Sequence, residues 1–252
     1  MKCSIQDMKK MMEWIEMFKF IKNINKHVTV QCTDSELFIQ IMDSSHICLV
    51  DFKIASSWFH HYESSNEVFS TNSAVLVKVF SMFTKETTLE METNDDKLFI
   101  HLFNTQQNRH FEVPLINIEQ DLLSSILTEP CADFSIKSKW FDKYLQELSH
   151  FGEQLKLKIR DDCIFLETSK EEGMYQIEIP NEQLEEFNIV ENYTVELNYS
   201  LRYLVLLSSY ALVFPEVHLY FDEHSPLRIT FKQEGMLIHF FLAPKFTDDY
   251  LE

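Results

Sequence analysis

Hydrophobic and polar residues alternate with period two on either side of four short acidic turns. The paired segments are VTVQC and ELFIQIM around TDS, TTLEMET and KLFIHLF around NDD, LKLKI and CIFLETS around RDD, and VHLYF and LRITFKQ around DEHSP. Alternation flanking Asp- and Asn-rich turns predicts β-hairpins. The turns centre on Asp34, Asp95, Asp161 and Glu223, so the unit recurs after 61, 66 and 62 residues. A spacing that regular is hard to obtain by chance and marks a repeated structural unit.

Ahead of each hairpin the apolar spacing changes from two to the i, i+3, i+4, i+7 of a helix. Trp14, Met17, Phe18 and Ile21 show it first, then Leu76, Val79, Phe80 and Phe83, then Phe141, Tyr144, Leu145 and Leu148. Leu204, Leu207, Ser208 and Ala211 repeat it with one polar member. The chain therefore reads as a helix followed by strands, four times over, which is an α+β class. The stripes are core, so functional content is expected on the opposite helix faces. Between residues 117 and 134 the pattern lapses into NIEQDLLSSILTEPCADF, an acidic stretch with Pro130 and an apolar stripe of Leu122, Leu123, Ile126 and Leu127. That predicts two similar domains, 1–118 and 135–252, joined by a linker at 119–134.

Charge sharpens this outline. The 252 residues carry 22 Lys and Arg against 40 Asp and Glu, a net −18. Through residue 118 there are 11 basic and 15 acidic residues, and beyond it 11 and 25. Scattered cations in so acidic a chain would repel nucleic acid. They are not scattered. Lys9 and Lys10 precede the first helix, Lys19 and Lys22 lie on it beside Glu13 and Glu16, and Lys78 and Lys85 share a side of the second with Ser81. Lys139, Lys143, Gln146 and His150 share one side of the third, and Arg202 is the basic residue of the fourth. Nine of the 22 cations thus fall on or beside four copies of one unit, while strands and loops hold most of the acid.

Other chemistries are poorly served. Gly152, Gly173 and Gly235 are the only glycines, too far apart for a phosphate-cradling loop. Five cysteines (Cys3, Cys32, Cys48, Cys131, Cys163) form no C-x-x-C pair, and their odd number suits a reducing compartment. No apolar run approaches the length of a membrane span, and MKCSIQDMKK lacks the apolar core of a secretory signal. His60 and His61 with Glu63 draw the eye, but no H-E-x-x-H or comparable ligand set accompanies them. A solvated loop is the simpler reading, and neither a metal, a cofactor nor an enzymatic activity is expected.

Several motifs carry a family resemblance. MDSSHICLV (42–50), LQELSHFGEQL (145–155), LNYSLRYLVLL (197–207), SPLRI (225–229) and FFLAPKFTDD (240–249) resemble the proliferating cell nuclear antigen family, the eukaryotic DNA sliding clamps, in order and over essentially the whole chain. The resemblance implies a homotrimeric ring with sheets outside and helices lining a hole around duplex DNA. Such rings act as polymerase processivity factors, opened by an ATP-driven clamp loader, tethering polymerases and other replication and repair proteins and catalysing nothing. It also implies a nucleus, or a cytoplasmic replication site for a viral member, with no membrane partner. An acidic exterior with cationic helices then ceases to be a paradox.

By motif position the resemblance places Lys22, Lys78, Lys143, His150 and Arg202 toward DNA. It departs from the family's basic pattern at Ile15, Glu16, Ser81 and Ser209, which predicts a less positive hole. The site for a client peptide with a short helical turn and two aromatics maps to Met42, His46, Ile47 and Leu49, to Leu123 and Ile126 of the linker, and to Pro226, Phe241, Leu242, Ala243, Pro244 and Lys245. An apolar FFLAP close to acid near the chain end reads as easily spared from a core. The strands around Arg109–Val113 and Met174–Ile179 would pair between neighbouring subunits, with Arg109, Phe111, Val113, Tyr175 and Ile177 at the contact. The family's modified lysine falls on Asp161, so ubiquitin regulation there is not expected. A rival reading keeps the fold and changes the assembly, to a monomeric or heterotrimeric relative of the checkpoint or herpesvirus type.

Overall fold

The computed structural model describes residues 1–94, 96–118, 123, 128–171, 173–191, 193–222 and 224–245. Its first helix, α1 (Met8–Ile24), follows a short strand, β1 (Lys2–Ile5), and leads into β2 (His27–Cys32), β3 (Glu36–Met42), β4 (Cys48–Ala55), β5 (His61–Glu63) and β6 (Glu67–Asn72). Then come α2 (Ser73–Phe80), β7 (Thr88–Asn94), β8 (Lys97–Phe103) and β9 (Asn108–Pro114). The second half runs β10 (Ala132–Lys137), α3 (Ser138–Ser149), β11 (Gln154–Ile159), β12 (Cys163–Lys170), β13 (Gly173–Pro180), β14 (Glu186–Ile189) and β15 (Val195–Ser200). It closes with α4 (Leu201–Ala211), β16 (Glu216–Phe221), β17 (Leu227–Gln233) and β18 (Met236–Leu242).

Two compact units result, the first of residues 1–124 and 232–238, the second of 125–231 and 239–252. In the first, strands lie in the orders β5-β1-β7-β8-β9 and β4-β3-β2-β6. In the second the orders are β14-β10-β16-β17-β18 and β13-β12-β11-β15. β9 and β13 each end one of these orders, so both leave a row of backbone N–H and C=O groups without a partner strand in their own sheet.

The starts of α1 and α2 follow from capping. Asp7 Oδ1 accepts the Lys10 N–H at 2.9 Å ahead of α1, and Asn72 Oδ1 accepts the Ala74 and Val75 N–H groups at 2.9 and 3.3 Å ahead of α2. The apolar stripes turn inward as their spacing predicts. Trp14, Phe18 and Phe80 form a tilted aromatic cluster joining α1 to α2, with Phe18 and Phe80 centroids 5.1 Å apart. In the second unit α3 and α4 are linked by the Ser208 hydroxyl, which donates to Asp142 Oδ1 at 2.8 Å. The chain leaving α3 passes so close to β12 that a Cβ on Gly152 would meet Thr168 Oγ1 at 1.8 Å. This explains the glycine of LQELSHFGEQL.

Three expectations are corrected. The second stripe predicts a helix reaching Phe83, but α2 ends at Phe80 and the chain turns, which takes Lys85 off the helix face. Glu13, expected on the polar face of α1, is buried and paired with Lys9 at 3.7 Å. Phe241 and Leu242 are not spared from the core: they lie on β18, and Leu242 is 0% exposed.

Cys3, Cys32, Cys48 and Cys163 are buried, and Cys131 is part-exposed. Burial pushes the thiols of Cys32 and Cys163 up to about 11, and those of Cys3 and Cys48 further. A thiolate-selective reagent at neutral pH is therefore expected to modify Cys131 first, with the other four reacting only on denaturation. Peptide mapping after a short pulse checks this, and early labelling at Cys48 would show a loosely held 43–48 loop.

Candidate functional site

The residues expected to face DNA are all exposed, four of them on a helix and His150 just beyond the end of one. Lys22 is exposed in the last turn of α1 and Lys78 in the last turn of α2. Cations at these ends also complement the helix dipoles. Lys143 is exposed on α3, 3.8 Å from Glu147, and His150 caps that helix, its N–H bonding to Glu147 and Leu148 carbonyls. Arg202 is exposed on the first turn of α4, its guanidinium 5.6 Å from the Tyr203 ring. Lys10 is otherwise engaged: its ammonium donates to the Trp58 carbonyl and sits 5.5 Å from that indole.

The loop between β3 and β4 is built around Asp43. Its buried carboxylate accepts the Ile47 and Cys48 N–H groups at 2.8 Å each and that of Ser45 at 3.0 Å. That triple acceptance wraps the chain tightly enough to hold His46 at a φ of 57°, the left-handed region. His46 is thereby exposed, with Met42, Ile47 and Leu49 half-buried around it. Met42 is also anchored through its carbonyl, which accepts from Asn25 Nδ2 at 3.0 Å. Beside this loop is a cavity of about 310 Å³ lined by Met42, His46 and Leu49 together with Asn25, Gln40 and Ile118.

Gln40 is the residue that sequence reasoning missed. Alternation along β3 puts it on the solvent side with Phe38 and Met42, yet it is only 3% exposed. The reason is Leu123. Gln40 Nε2 donates to the Leu123 carbonyl at 2.9 Å, and the Leu123 N–H donates back to Gln40 Oε1 at 2.8 Å. Gln40 Nε2 also reaches Asp51 Oδ1 at 2.9 Å. One side-chain amide thus pairs with the linker backbone as a neighbouring strand would, leaving the Leu123 side chain exposed. Ile126, the other linker residue expected here, lies outside the described residues.

In the second unit Pro226 is exposed behind a turn held by Asp222. The His224 N–H at 3.0 Å and the Ser225 hydroxyl at 2.9 Å donate to its carboxylate and hold it below the usual range. Ala243 and Pro244 are half-buried after β18, and Lys245 is exposed, its N–H bonded to the Asn198 carbonyl at 2.7 Å.

On the edge strands, Phe111, Tyr175 and Ile177 are half-buried on the inner faces of β9 and β13. Tyr175 is tied to α3 by its hydroxyl, which donates to Glu147 Oε2 at 3.0 Å, and its ring lies 5.0 Å from Phe151. Val113 is fully buried and belongs to the core of its own unit. Arg109 is spent within the chain, donating to the Met82 carbonyl and to Gln107.

Two family models match these two halves: the N-terminal domain of proliferating cell nuclear antigen over residues 7–123 and its C-terminal domain over 123–246. The chain belongs to the proliferating cell nuclear antigen family. Among its relatives is proliferating cell nuclear antigen 2 of Plasmodium falciparum, 26% identical over 252 residues and covering 92% of this chain and 95% of its own. The proliferating cell nuclear antigen of Chaetomium thermophilum is 25% identical, covering 91% and 93%. A probable DNA polymerase sliding clamp 2 of Paramecium bursaria Chlorella virus 1 is 28% identical, covering 86% and 81%. The two domain matches, the antiparallel hairpins and the four α-helices among the described residues are consistent with a clamp fold. Among the described residues no group of three potential metal ligands is found, and no helix is long and apolar enough to cross a membrane.

Proposed function

We infer that this protein is a DNA polymerase processivity factor, a sliding clamp that encircles duplex DNA without catalysing a reaction of its own. The observation that carries this is the match of the two domain models, which together span residues 7–246. In this reading three copies join head to tail through β9 of one and β13 of the next, each edge strand supplying the hydrogen bonds the other lacks. The helices face the hole, with Lys22, Lys78, Lys143, His150 and Arg202 toward phosphates. The client peptide lodges at Met42, His46, Ile47, Leu49, Leu123, Ile126, Pro226 and the 241–245 segment, with Leu242 supporting the site from within the core. An ATP-driven loader opens the ring, and the setting is the nucleus or a viral replication site.

The charge distribution supports sliding over tight binding. Phosphate contacts carry no sequence information, and each one weakens with salt at a slope of about −0.9. Five candidate groups per chain in a molecule of net −18 hold DNA loosely, so persistence must come from topology. Protein loaded on nicked circular DNA is accordingly expected to remain through gel filtration at physiological salt and to run off once the circle is linearised. Equal retention on both forms would overturn the sliding-clamp reading.

A further inference from the structure

The outward face of α3 carries more than cations. Trp140 is 40% exposed there, whereas Trp14 and Trp58 are buried. Its indole is the centre of a small assembly: Lys139 Nζ lies 5.3 Å and Lys143 Nζ 5.1 Å from the ring centroid, and Tyr144 stacks on it at 6.1 Å and 21°. A large exposed aromatic ring costs solubility and is commonly found where something covers it. Two ammoniums drawn to one ring make that covering surface positive, and among the described residues the ion pair found here is the 3.8 Å one between Lys143 and Glu147. Cations interleaved with aromatics fit a nucleic acid better than an apolar peptide.

We propose that Lys139, Trp140 and Lys143 form a backbone grip on α3, in which the indole lies against a deoxyribose and the two ammoniums it gathers reach the flanking phosphates. Bases in a duplex are already stacked, and the indole is flanked by its own lysines and Tyr144. The sugar edge is therefore the part of DNA within its reach. Side chains four apart on a helix stand about 5–6 Å from each other at Cβ, which suits neighbouring phosphates of one strand. The apolar contact does not weaken with salt as phosphate contacts do. It compensates for family basic positions that are Glu16, Ser81 and Ser209 here. This rests on the DNA-encircling reading above.

The test uses the full-length protein and a short duplex. With Trp14 and Trp58 buried, acrylamide quenching of intrinsic fluorescence reports Trp140. Duplex at low ionic strength is expected to protect that emission. Trp140→Ala should weaken duplex binding roughly fivefold while Trp140→Phe retains most of it. Lys139→Gln with Lys143→Gln should flatten the salt dependence by about two phosphate contacts. Protection that grows with protein concentration alone would assign the face to a second copy and overturn the grip. So would a Trp140 that stays fully quenchable at saturating duplex, or a folded Trp140→Ala protein with wild-type affinity. If the alanine variant does not fold, the wild-type quenching decides. A wild-type protein that neither binds duplex nor persists on circles defeats the clamp reading as well. One that persists while Trp140→Ala is unchanged defeats the grip alone.

Discussion

Phe111→Asp and Ile177→Asp are each expected to convert a particle of about 90 kDa, three copies of the 30.0 kDa chain, into single chains. Both residues sit on edge strands, β9 and β13, whose outer backbone groups have no partner within their own sheets. Both are half-buried in the isolated chain, so each keeps apolar surface that a neighbouring subunit would cover. Covering a side chain of that size contributes about 1.5–3 kcal/mol, and a carboxylate in its place must be dehydrated without a partner. Each closed ring contains the contact three times, so one substitution weakens every seam. Val113 is the wrong probe, because it is core and a charge there unfolds its unit. Light scattering beside thermal melting separates the outcomes. A folded Phe111→Asp protein that still measured 90 kDa would rule out pairing through β9.

The four-fold plan was legible because its signals are local. A period of two around an acidic turn and a period of 3.6 before it depend on nothing distant, and four helices and their hairpin strands formed there among the described residues, with α2 ending short of Phe83. Failures came where a tertiary contact overrode the local pattern. Glu13 looks solvated on a helical wheel but is buried beside Lys9. Phe241 and Leu242 look like a detachable tail, yet they complete β18 and enter the core. Gln40 has no local signature at all. It falls on the solvent face of an alternating strand and gains its role only because Leu123, 83 residues on, folds across it. Asp43 did have a signal, since Asp followed by two serines is a turn former whose side chain seeks nearby N–H groups. The resemblance singled out His46 and Leu49, and the structure adds the carboxylate that shapes them.

The second large effect is expected at that carboxylate. Asp43→Ala removes the acceptor of three backbone N–H groups while altering none of the proposed peptide-contacting residues themselves. Hydrogen bonds to a charged group contribute about 1.5–3 kcal/mol, and orphaned donors at Ile47 and Cys48 add a dehydration cost. Relaxation of the loop toward ordinary φ values then moves His46 away from the cavity that it lines with Met42 and Leu49. Stability should fall by about 2–4 kcal/mol, and affinity for a client's aromatic-ended peptide by more than about thirtyfold. Gln40→Ala gives the complementary case. It releases Leu123 and so the linker side of the pocket, with the Asp43 loop intact, and should weaken the peptide while β3 stays paired. Calorimetry with the peptide, beside hydrogen exchange at Ile47, Cys48 and Leu123, follows both. Faster exchange at those amides with undiminished peptide affinity would show that clients are recruited through some other surface of the clamp.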